Sequence, residues 1–332
     1  MRVAAPGKLL LTGAYAVLEG APAIVVAVDR LAMADTERRA DAPSREVELA
    51  FGADAAPHVD ADSLFASGTT PSGSTKCLKL GLGSSAAMLV AALATRRAQS
   101  GADLASGAVR RELFAEAQAV HAASQGGGSG VDIAASVYGG ALCYSLSGDS
   151  LSGDPLPASI EPVELPPGLH LAAFFSGTSA RTSDLRRAVD ALRLRDPMVY
   201  RECMDVLRAG AVLASRSLAT RMLHIFLSAA EITRRALLKL GVAAGAPIVP
   251  SRFVKLGECA ARGRAVFLPS GAGGGDVGVF LGSEAPSARF EQLAARLGFT
   301  RVPLAIDPTG VRLVDPEPYG SDALPDTRRC AS

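Results

Sequence analysis

The sequence has 332 residues, of which 48% are hydrophobic and 20% are charged, a balance that is typical of globular chains and excludes a largely disordered one. Lysine and arginine number 34 against 33 aspartates and glutamates, so the formal net charge of +1 provides no basic surface for nucleic acid. Because compact domains seldom grow beyond about 250–300 residues, this length predicts two domains.

The sequence gives no sign of a membrane partner or of secretion. Apolar runs such as 21–28 are far shorter than the ~20 residues that cross a bilayer, and Lys8 interrupts the one candidate signal core. The five cysteines and four histidines are dispersed, without CxxC, HxxxH or HExxH spacing. We therefore expect a cytoplasmic protein with reduced thiols and no zinc site.

The predicted elements alternate between strands and helices along the chain. Strands are expected where β-branched or alternating apolar residues occur, at 2–12, 21–31, 46–51, 76–80, 139–145, 170–175 and 301–306. Helices are expected from 84 to about 100, over 109–124, from 131, and over 182–195, 198–240 and 287–298. Residues 147–168 predict a linker, and the tail after about 314 is expected to fray. The pattern indicates a protein of mixed α and β structure.

The first of three glycine-rich segments is GLGSSAA at 81–87, directly before a predicted helix. Small residues let backbone N–H groups approach an anion, and a helix N-terminus adds its positive dipole end. Ser84 and Ser85 can donate to phosphate or bind Mg²⁺, but a serine at this place can equally cap the helix. The segment also fits the loose dinucleotide fingerprint GxGxxA, although a helix rather than a Rossmann strand is expected next.

The other two segments are GGGSGVD at 126–132 and PSGAGGGD at 269–276. Ser129 and Asp132 have the spacing of a capping box, whereas a functional interpretation places the Asp132 carboxylate in a cleft. The third segment is alternatively a glycine hairpin with an acidic turn residue. Three such segments in one chain are hard to explain as three turns.

The order of the motifs is more specific than any one of them. PGKLLLTGAYAVL at 6–18 comes first, and GLGSSAA, GSGVD and SGAGGGD follow at wide spacing. This ordered set resembles the GHMP kinase superfamily from about residue 2 to residue 306. The resemblance implies a two-lobed α+β fold. An ATP-binding N-terminal domain like ribosomal protein S5 domain 2 is expected over 1–165, and a ferredoxin-like C-terminal domain over 166–332.

Within the superfamily the chain is most similar to the phosphomevalonate kinase group. The shared features are Lys79 before GLGSSAA, Gln125, Tyr138-Gly139, the segment FSGTSART at 175–182 and the form PSGAGGGD. This resemblance implies that ATP with Mg²⁺ phosphorylates 5-phosphomevalonate to 5-diphosphomevalonate in isoprenoid biosynthesis, in a monomer or homodimer. The alternatives are mevalonate kinase or another GHMP small-molecule kinase, and a non-catalytic regulator that binds a nucleotide or a sugar. A dinucleotide-binding oxidoreductase is a remote third.

The resemblance also implies residue roles. Lys8 and Asp132 are expected at the reacting groups. The expected ATP phosphate site, with Ser85 as Mg²⁺ ligand, consists of Lys79, Gly81, Leu82, Gly83, Ser84, Ser85 and Ala86. The expected acceptor site consists of Ser129, Gly130, Thr178, Arg181, Thr182, Gly273 and Gly274. A phosphate acceptor is already largely ionised at neutral pH and needs cations, for which Lys8, Lys79 and Arg181 are the candidates.

Two positions depart from relatives. His121 stands eleven residues before Asp132, where mevalonate kinase-like relatives carry a Mg²⁺-binding glutamate. We expect an ordinary helical residue there. The run QGGGSG lacks the lysine that some phosphomevalonate kinases carry, which removes one expected contact to the acceptor phosphate.

Overall fold

The fold is taken from a computed structural model that describes residues 1–69, 75–125, 127–146, 158–179 and 181–314. Predictions that fall on other residues lie outside the described part of the chain. These include the first part of the predicted linker, 147–157, and the predicted frayed tail.

Strands and helices alternate along the chain. The strands are β1 Arg2–Thr12, β2 Ala23–Arg39, β3 Pro57–Asp60, β4 Phe65–Thr69, β5 Thr75–Lys79, β6 Ala141–Leu146, β7 Ala158–Val163, β8 His170–Phe175, β9 Val266–Pro269, β10 Val277–Gly282, β11 Thr300–Val302 and β12 Arg312–Val314. The helices are α1 Arg45–Phe51, α2 Ser84–Gln99, α3 Gly107–Gln125, α4 Val131–Tyr138, α5 Thr182–Arg195, α6 Pro197–Thr220, α7 Leu223–Ala244, α8 Ser251–Arg262 and α9 Ala288–Arg296. Short 3₁₀ helices occupy Ala16–Glu19 and Asp62–Leu64.

The first sheet has the strand order β12-β1-β2-β6-β7, with β3 also paired to β2. Helices α2 and α4 pack against β1 and β2. The run 23–28 of β2 is buried throughout, and so is nearly all of β1. Burial on both faces explains why the run 23–28 of β2 and most of β1 are apolar without alternation.

The second sheet has the order β11-β8-β10-β9 and lies beside α8 and α9. Its core is a cluster of phenylalanine rings from these strands and helices, with neighbouring centroids 5.0–6.1 Å apart: Phe174, Phe253, Phe267, Phe280, Phe290 and Phe299. Every strand pairing within the described residues is antiparallel. Because α3 also follows α2 directly, the Rossmann alternative is wrong.

Most predicted elements are present, but the strand predicted over 46–51 is wrong. Val47, Leu49 and Phe51 alternate as in a strand, yet the segment is the helix α1. Val47 and Phe51 lie four residues apart and both pack into a small cluster with Ala56 and Ala92, while Leu49 is 56% exposed. The residues that are buried are therefore spaced as on one face of a helix, and not as in a strand.

The linker predicted over 147–168 is wrong for 158–163, which form the edge strand β7 against β6. An edge strand that contains Pro162 and is largely exposed has little hydrophobic pattern to reveal it.

Helix α8 was not predicted. Among the described residues, Cys143, Cys203 and Cys259 are free cysteines.

Strand β12 pairs with β1, so residues 312–314 lie in the first sheet beside the start of the chain. The division into domains 1–165 and 166–332 stays a prediction. None of the described helices is long and apolar enough to cross a membrane.

Candidate active site

Strand β1 positions the first site residue, Lys8, directly after a register shift between Pro6 and Gly7. The Lys8 backbone N–H donates to Leu82 O at 2.8 Å, and its Nζ donates to Gly81 O at 3.2 Å. A methyl group built on Gly7 would lie 2.7 Å from Leu82 O. Glycine is therefore required at position 7 for β1 to lie against the GLGSSAA loop.

The GLGSSAA loop ends in an uncapped helix N-terminus. Gly83 is the N-cap of α2 with φ +75°, in the left-handed region, and makes no side-chain capping bond. Ser84 is the first helical residue and is buried, so the alternative that it caps the helix is wrong. The first-turn N–H groups of α2 are thus not covered by a capping side chain, as an anion site requires.

Two further predicted residues lie together beside this loop. The Nζ of Lys79, at the end of β5, is 3.5 Å from the Oγ of Ser85. Leu82 and Ala86 are buried core residues that hold the loop backbone rather than side chains that face a ligand. The structure therefore offers one ammonium and one hydroxyl group at the edge of the loop.

The second glycine motif places Asp132 in the first turn of α4. Gly130 is the N-cap with φ +72° and makes no side-chain capping bond, so the capping-box alternative is wrong. Asp132 Oδ1 instead accepts from Ile133 N at 3.1 Å. The Tyr144 hydroxyl donates to Ser129 O and fixes the loop against β6.

Lys8 and Asp132 meet on either side of Gly83. A methyl group built on Gly83 would lie 3.1 Å from Lys8 Cγ and 3.4 Å from Asp132 Cβ. Burial lowers the pKa of Lys8 below its ordinary value, and the carboxylates of Asp132 and Asp276 partly offset that effect. The ammonium group therefore depends on two carboxylates from distant parts of the sequence.

The third glycine motif closes the other side of Lys8. A methyl group built on Gly271 would lie 3.7 Å from Lys8 Nζ, and one on Gly81 would lie 2.4 Å from Asp276 Cβ. The Ser270 hydroxyl accepts from Leu10 N at 2.8 Å, and the Tyr15 hydroxyl donates to Ala272 O at 2.7 Å. Side-chain hydrogen bonds thus join this loop directly to the chain around Lys8.

The predicted acceptor residues of this motif lie farther out. Gly274 N donates to Ile248 O at 2.9 Å, and a methyl group on Gly273 would lie 2.0 Å from the same oxygen. These two glycines therefore pack the loop against Ile248. Gly271 and Asp276, which the predicted set omitted, are the members that face Lys8 and Gly81.

Three predicted acceptor residues, Thr178, Arg181 and Thr182, lie near the start of α5. Only Thr178 is hydrogen-bonded to a described residue of the site, Asp276. Thr178 O accepts from Asp276 N at 2.7 Å, and its Oγ1 accepts from Arg252 Nη2 at 3.2 Å. Arg181 and Thr182 are exposed at the start of α5. No side-chain hydrogen bond or ion pair ties either of them to another residue in the described part of the chain.

Two residues near the site were given no site role by the sequence. His121 lies in α3, as expected, but it is buried and its Nε2 lies 3.9 Å from Asp132 Oδ2. A signal was present, because Gln118 and His121 are polar residues three apart on a helix face that Phe114 and Ala117 mark as buried. Arg186 Nη1 donates to Gly127 O at 3.2 Å, and no sequence signal separates it from the other arginines of α5.

No protein-family model matches the chain. It is 28% identical to a phosphomevalonate kinase of Streptomyces sp. (strain CL190), over 83% of this chain and 88% of that relative. Among solved structures, the Lin0012 protein of Listeria innocua superposes with a TM-score of 0.77 at 23% identity, covering 95% of this chain and 99% of that one. Phosphomevalonate kinase of Streptococcus pneumoniae, in complex with phosphomevalonate and AMPPNP, superposes with a TM-score of 0.70 at 19% identity, covering 92% and 99%. Kinases of mevalonate, homoserine and galactose also have similar folds.

The fold of the chain is similar to that of these kinases. The predicted α+β fold of these kinases is confirmed, and so is the resemblance to phosphomevalonate kinase. The finer division into an S5-like lobe and a ferredoxin-like lobe stays a prediction.

The electrostatics of Lys8 give a direct test of this geometry. Replacing Asp132 by asparagine removes a carboxylate that raises the pKa of Lys8, so that pKa should fall still further below its ordinary value. Lysine ¹⁵N NMR over a pH series measures it. Asp205→Asn, which removes an exposed carboxylate on α6, is the matched control and should leave Lys8 unchanged. An unchanged Lys8 titration in Asp132→Asn would contradict the pairing.

Proposed function

We propose that this chain is a kinase that transfers the γ-phosphoryl group of ATP to 5-phosphomevalonate, forming 5-diphosphomevalonate. The observation that carries the proposal is that buried Lys8 and partly buried Asp132 both lie against Gly83, directly before the uncapped N-terminus of α2. Phosphoryl transfer depends mainly on positioning and charge neutralisation, which this arrangement supplies. The Streptomyces relative and the ligands of the Streptococcus structure support this acceptor.

We assign the ATP phosphates to the loop 81–86 and to Lys79. Backbone N–H groups of the loop would bind phosphate oxygens, helped by the α2 dipole, while Lys79 contributes a point charge. Mg²⁺ usually keeps several waters and takes one or two protein ligands beside substrate phosphates. The Ser85 hydroxyl fits that requirement, so we assign Mg²⁺ to Ser85 and the nucleotide. Bound there, the ion would neutralise charge on the transferred group.

We assign the acceptor to the space that Lys8, Asp132 and Thr178 face, with Ser129 and Gly130 supplying backbone groups. A phosphate monoester has a second pKa of about 6, so it arrives already ionised and needs little help from a base. Its difficulty is repulsion from ATP, which the Lys8 ammonium reduces. Arg186, held at Gly127 O, is the next cation along this side. Arg181 and Thr182 belong to this assignment only if α5 brings them inward when the acceptor binds.

The second candidate function is a GHMP kinase with an alcohol acceptor, such as mevalonate kinase. The shared fold permits it, because fold alone does not select the acceptor. The buried imidazole of His121 beside Asp132 favours the phosphate acceptor, since it adds no negative charge at this place.

The domain division near residue 165, a cytoplasmic location and a monomeric or homodimeric state belong to the same proposal.

The acceptor assignment is tested by ADP release from Mg-ATP over a panel of acceptors. We expect turnover of 5-phosphomevalonate far above that of mevalonate, galactose or homoserine. Equal or faster turnover of mevalonate would move the assignment to the second candidate. Binding of ATP without turnover of any acceptor would favour a non-catalytic regulator.

The phosphate loop is tested with Gly83→Ala. A methyl group there meets Lys8 Cγ at 3.1 Å and should weaken binding of AMPPNP by at least about tenfold, which corresponds to about 1.4 kcal/mol. The matched control is Gly101→Ala, because Gly101 has nearly the same φ of +76° and a methyl group built on it would have nothing within 4 Å. Calorimetry measures both affinities. Equal weakening in the two variants would assign the effect to backbone strain and not to the loop.

The roles of charge and base are separated by Lys8→Met and Asp132→Asn. We expect Asp132→Asn to lower kcat less than the ~10²–10⁴-fold that a general base contributes, because the acceptor is already ionised. Lys8→Met keeps the packing volume but removes a buried cation, so its loss should be at least as large. Rates with 5-phosphomevalonate across pH measure both.

A far larger loss in Asp132→Asn than in Lys8→Met, with the wild-type rate falling as a carboxylate protonates, would identify Asp132 as a true base. If neither variant lost activity, the assignment of the active site would be wrong.

A further inference from the structure

His121 is a buried imidazole that the roles assigned above do not use. Its side chain is 8% exposed, and its Nε2 lies 3.9 Å from Asp132 Oδ2. Its Nδ1 is buried and has no hydrogen-bond partner among the described residues. Among the described residues, the acidic group found at ion-pair distance from the imidazole is therefore the carboxylate of Asp132, beside Lys8.

Packing alone does not explain this residue. The other buried residues of α3 are apolar, such as Leu113, Phe114 and Ala117, except for Gln118 and Ser124. A buried polar side chain is normally hydrogen-bonded through all of its polar atoms, and an apolar side chain would fill the same place without that cost. An imidazole with an orphaned nitrogen beside a reacting group points to a role in the reaction.

The two oxygens of Asp132 are held differently. Oδ1 accepts from the backbone of Ile133 at 3.1 Å, which fixes one end of the carboxylate. Oδ2 faces His121 at 3.9 Å, beyond hydrogen-bond length but at ion-pair distance. Catalytic hydrogen bonds are often long in ligand-free structures and shorten when substrates bind. A small rotation of either side chain makes the Nε2–H···Oδ2 bond.

From this geometry, and resting on the proposed function, we propose that His121 is a positioning residue for Asp132. Its Nε2–H donates to Oδ2, so that the carboxylate is held through both oxygens and keeps a fixed orientation toward Lys8. His121 acts only through Asp132 and touches neither ATP nor the acceptor. Its loss should therefore lower kcat and leave the KM for ATP unchanged.

The test uses His121→Leu and His121→Gln, each alone and combined with Asp132→Asn. Misplacing a reacting group by about 1 Å can cost on the order of 10²-fold, so we expect His121→Leu to lower kcat by about 10–100-fold. The amide nitrogen of glutamine occupies nearly the place of Nε2 and should restore most of the rate. In the Asp132→Asn background, His121→Leu should cause little further loss, because the partner is already changed. His170→Leu, at an exposed position on β8, is the control.

Three outcomes would overturn the proposal: no loss in His121→Leu, equal losses in the leucine and glutamine variants, or the same loss with and without Asp132→Asn. Thermal unfolding of each variant identifies losses that come from the fold. The cycle is run with whichever acceptor the panel identifies, so a wrong acceptor does not decide it. Histidine ¹⁵N NMR reads the contact even without turnover, because Asp132→Asn should shift the His121 imidazole signals. Unshifted signals would overturn the pairing itself.

Discussion

The candidate site depends on the burial of one ammonium group. Lys8 is only 9% exposed, and taking a cation out of water is costly unless nearby groups replace the lost hydration. Here the replacements are the Gly81 carbonyl and the carboxylates of Asp132 and Asp276. These groups come from three separate segments, so the cost of burying the Lys8 charge is offset most when all three are in place. Removing one partner leaves a buried charge that nothing else on the strand can balance.

Several positions of the site require glycine because there is no room for a side chain. At Gly7, Gly81 and Gly273 a methyl group would come within 2.0–2.7 Å of Leu82, Asp276 and Ile248 respectively. Loops that approach so closely are rigidly held, although their composition alone would suggest flexibility. A site with fixed backbone donors needs little reorganisation when a charged ligand arrives, and such preorganisation is the main source of electrostatic catalysis.

The sequence predicted those site residues that belong to short motifs of neighbouring residues. Lys8, the GLGSSAA loop and Asp132 were identified from their motifs, and the structure places them together. Contacts between distant elements were less predictable. His121 becomes meaningful only when α3 is packed beside α4, and Arg186 only when α5 is placed against the second glycine motif. Helix α1 was missed because its alternating residues fit a strand until the cluster around Ala92 shows which of them are buried.

The pairing of β12 with β1 has a consequence for how this protein is made. Arg2 is opposite Val314, and Leu10 N donates to Ser270 Oγ, so the edge of β1 that does not face β2 gains partners from residues about 260–310 positions further along the chain. Contacts of such long sequence separation slow folding, because a large loop must close before they form. In a growing chain on the ribosome, this edge of β1 stays unpaired until residues 312–314 have emerged. Lys8 therefore gains the groups of 81–83 and Asp132 before those of the loop that contains Gly271 and Asp276.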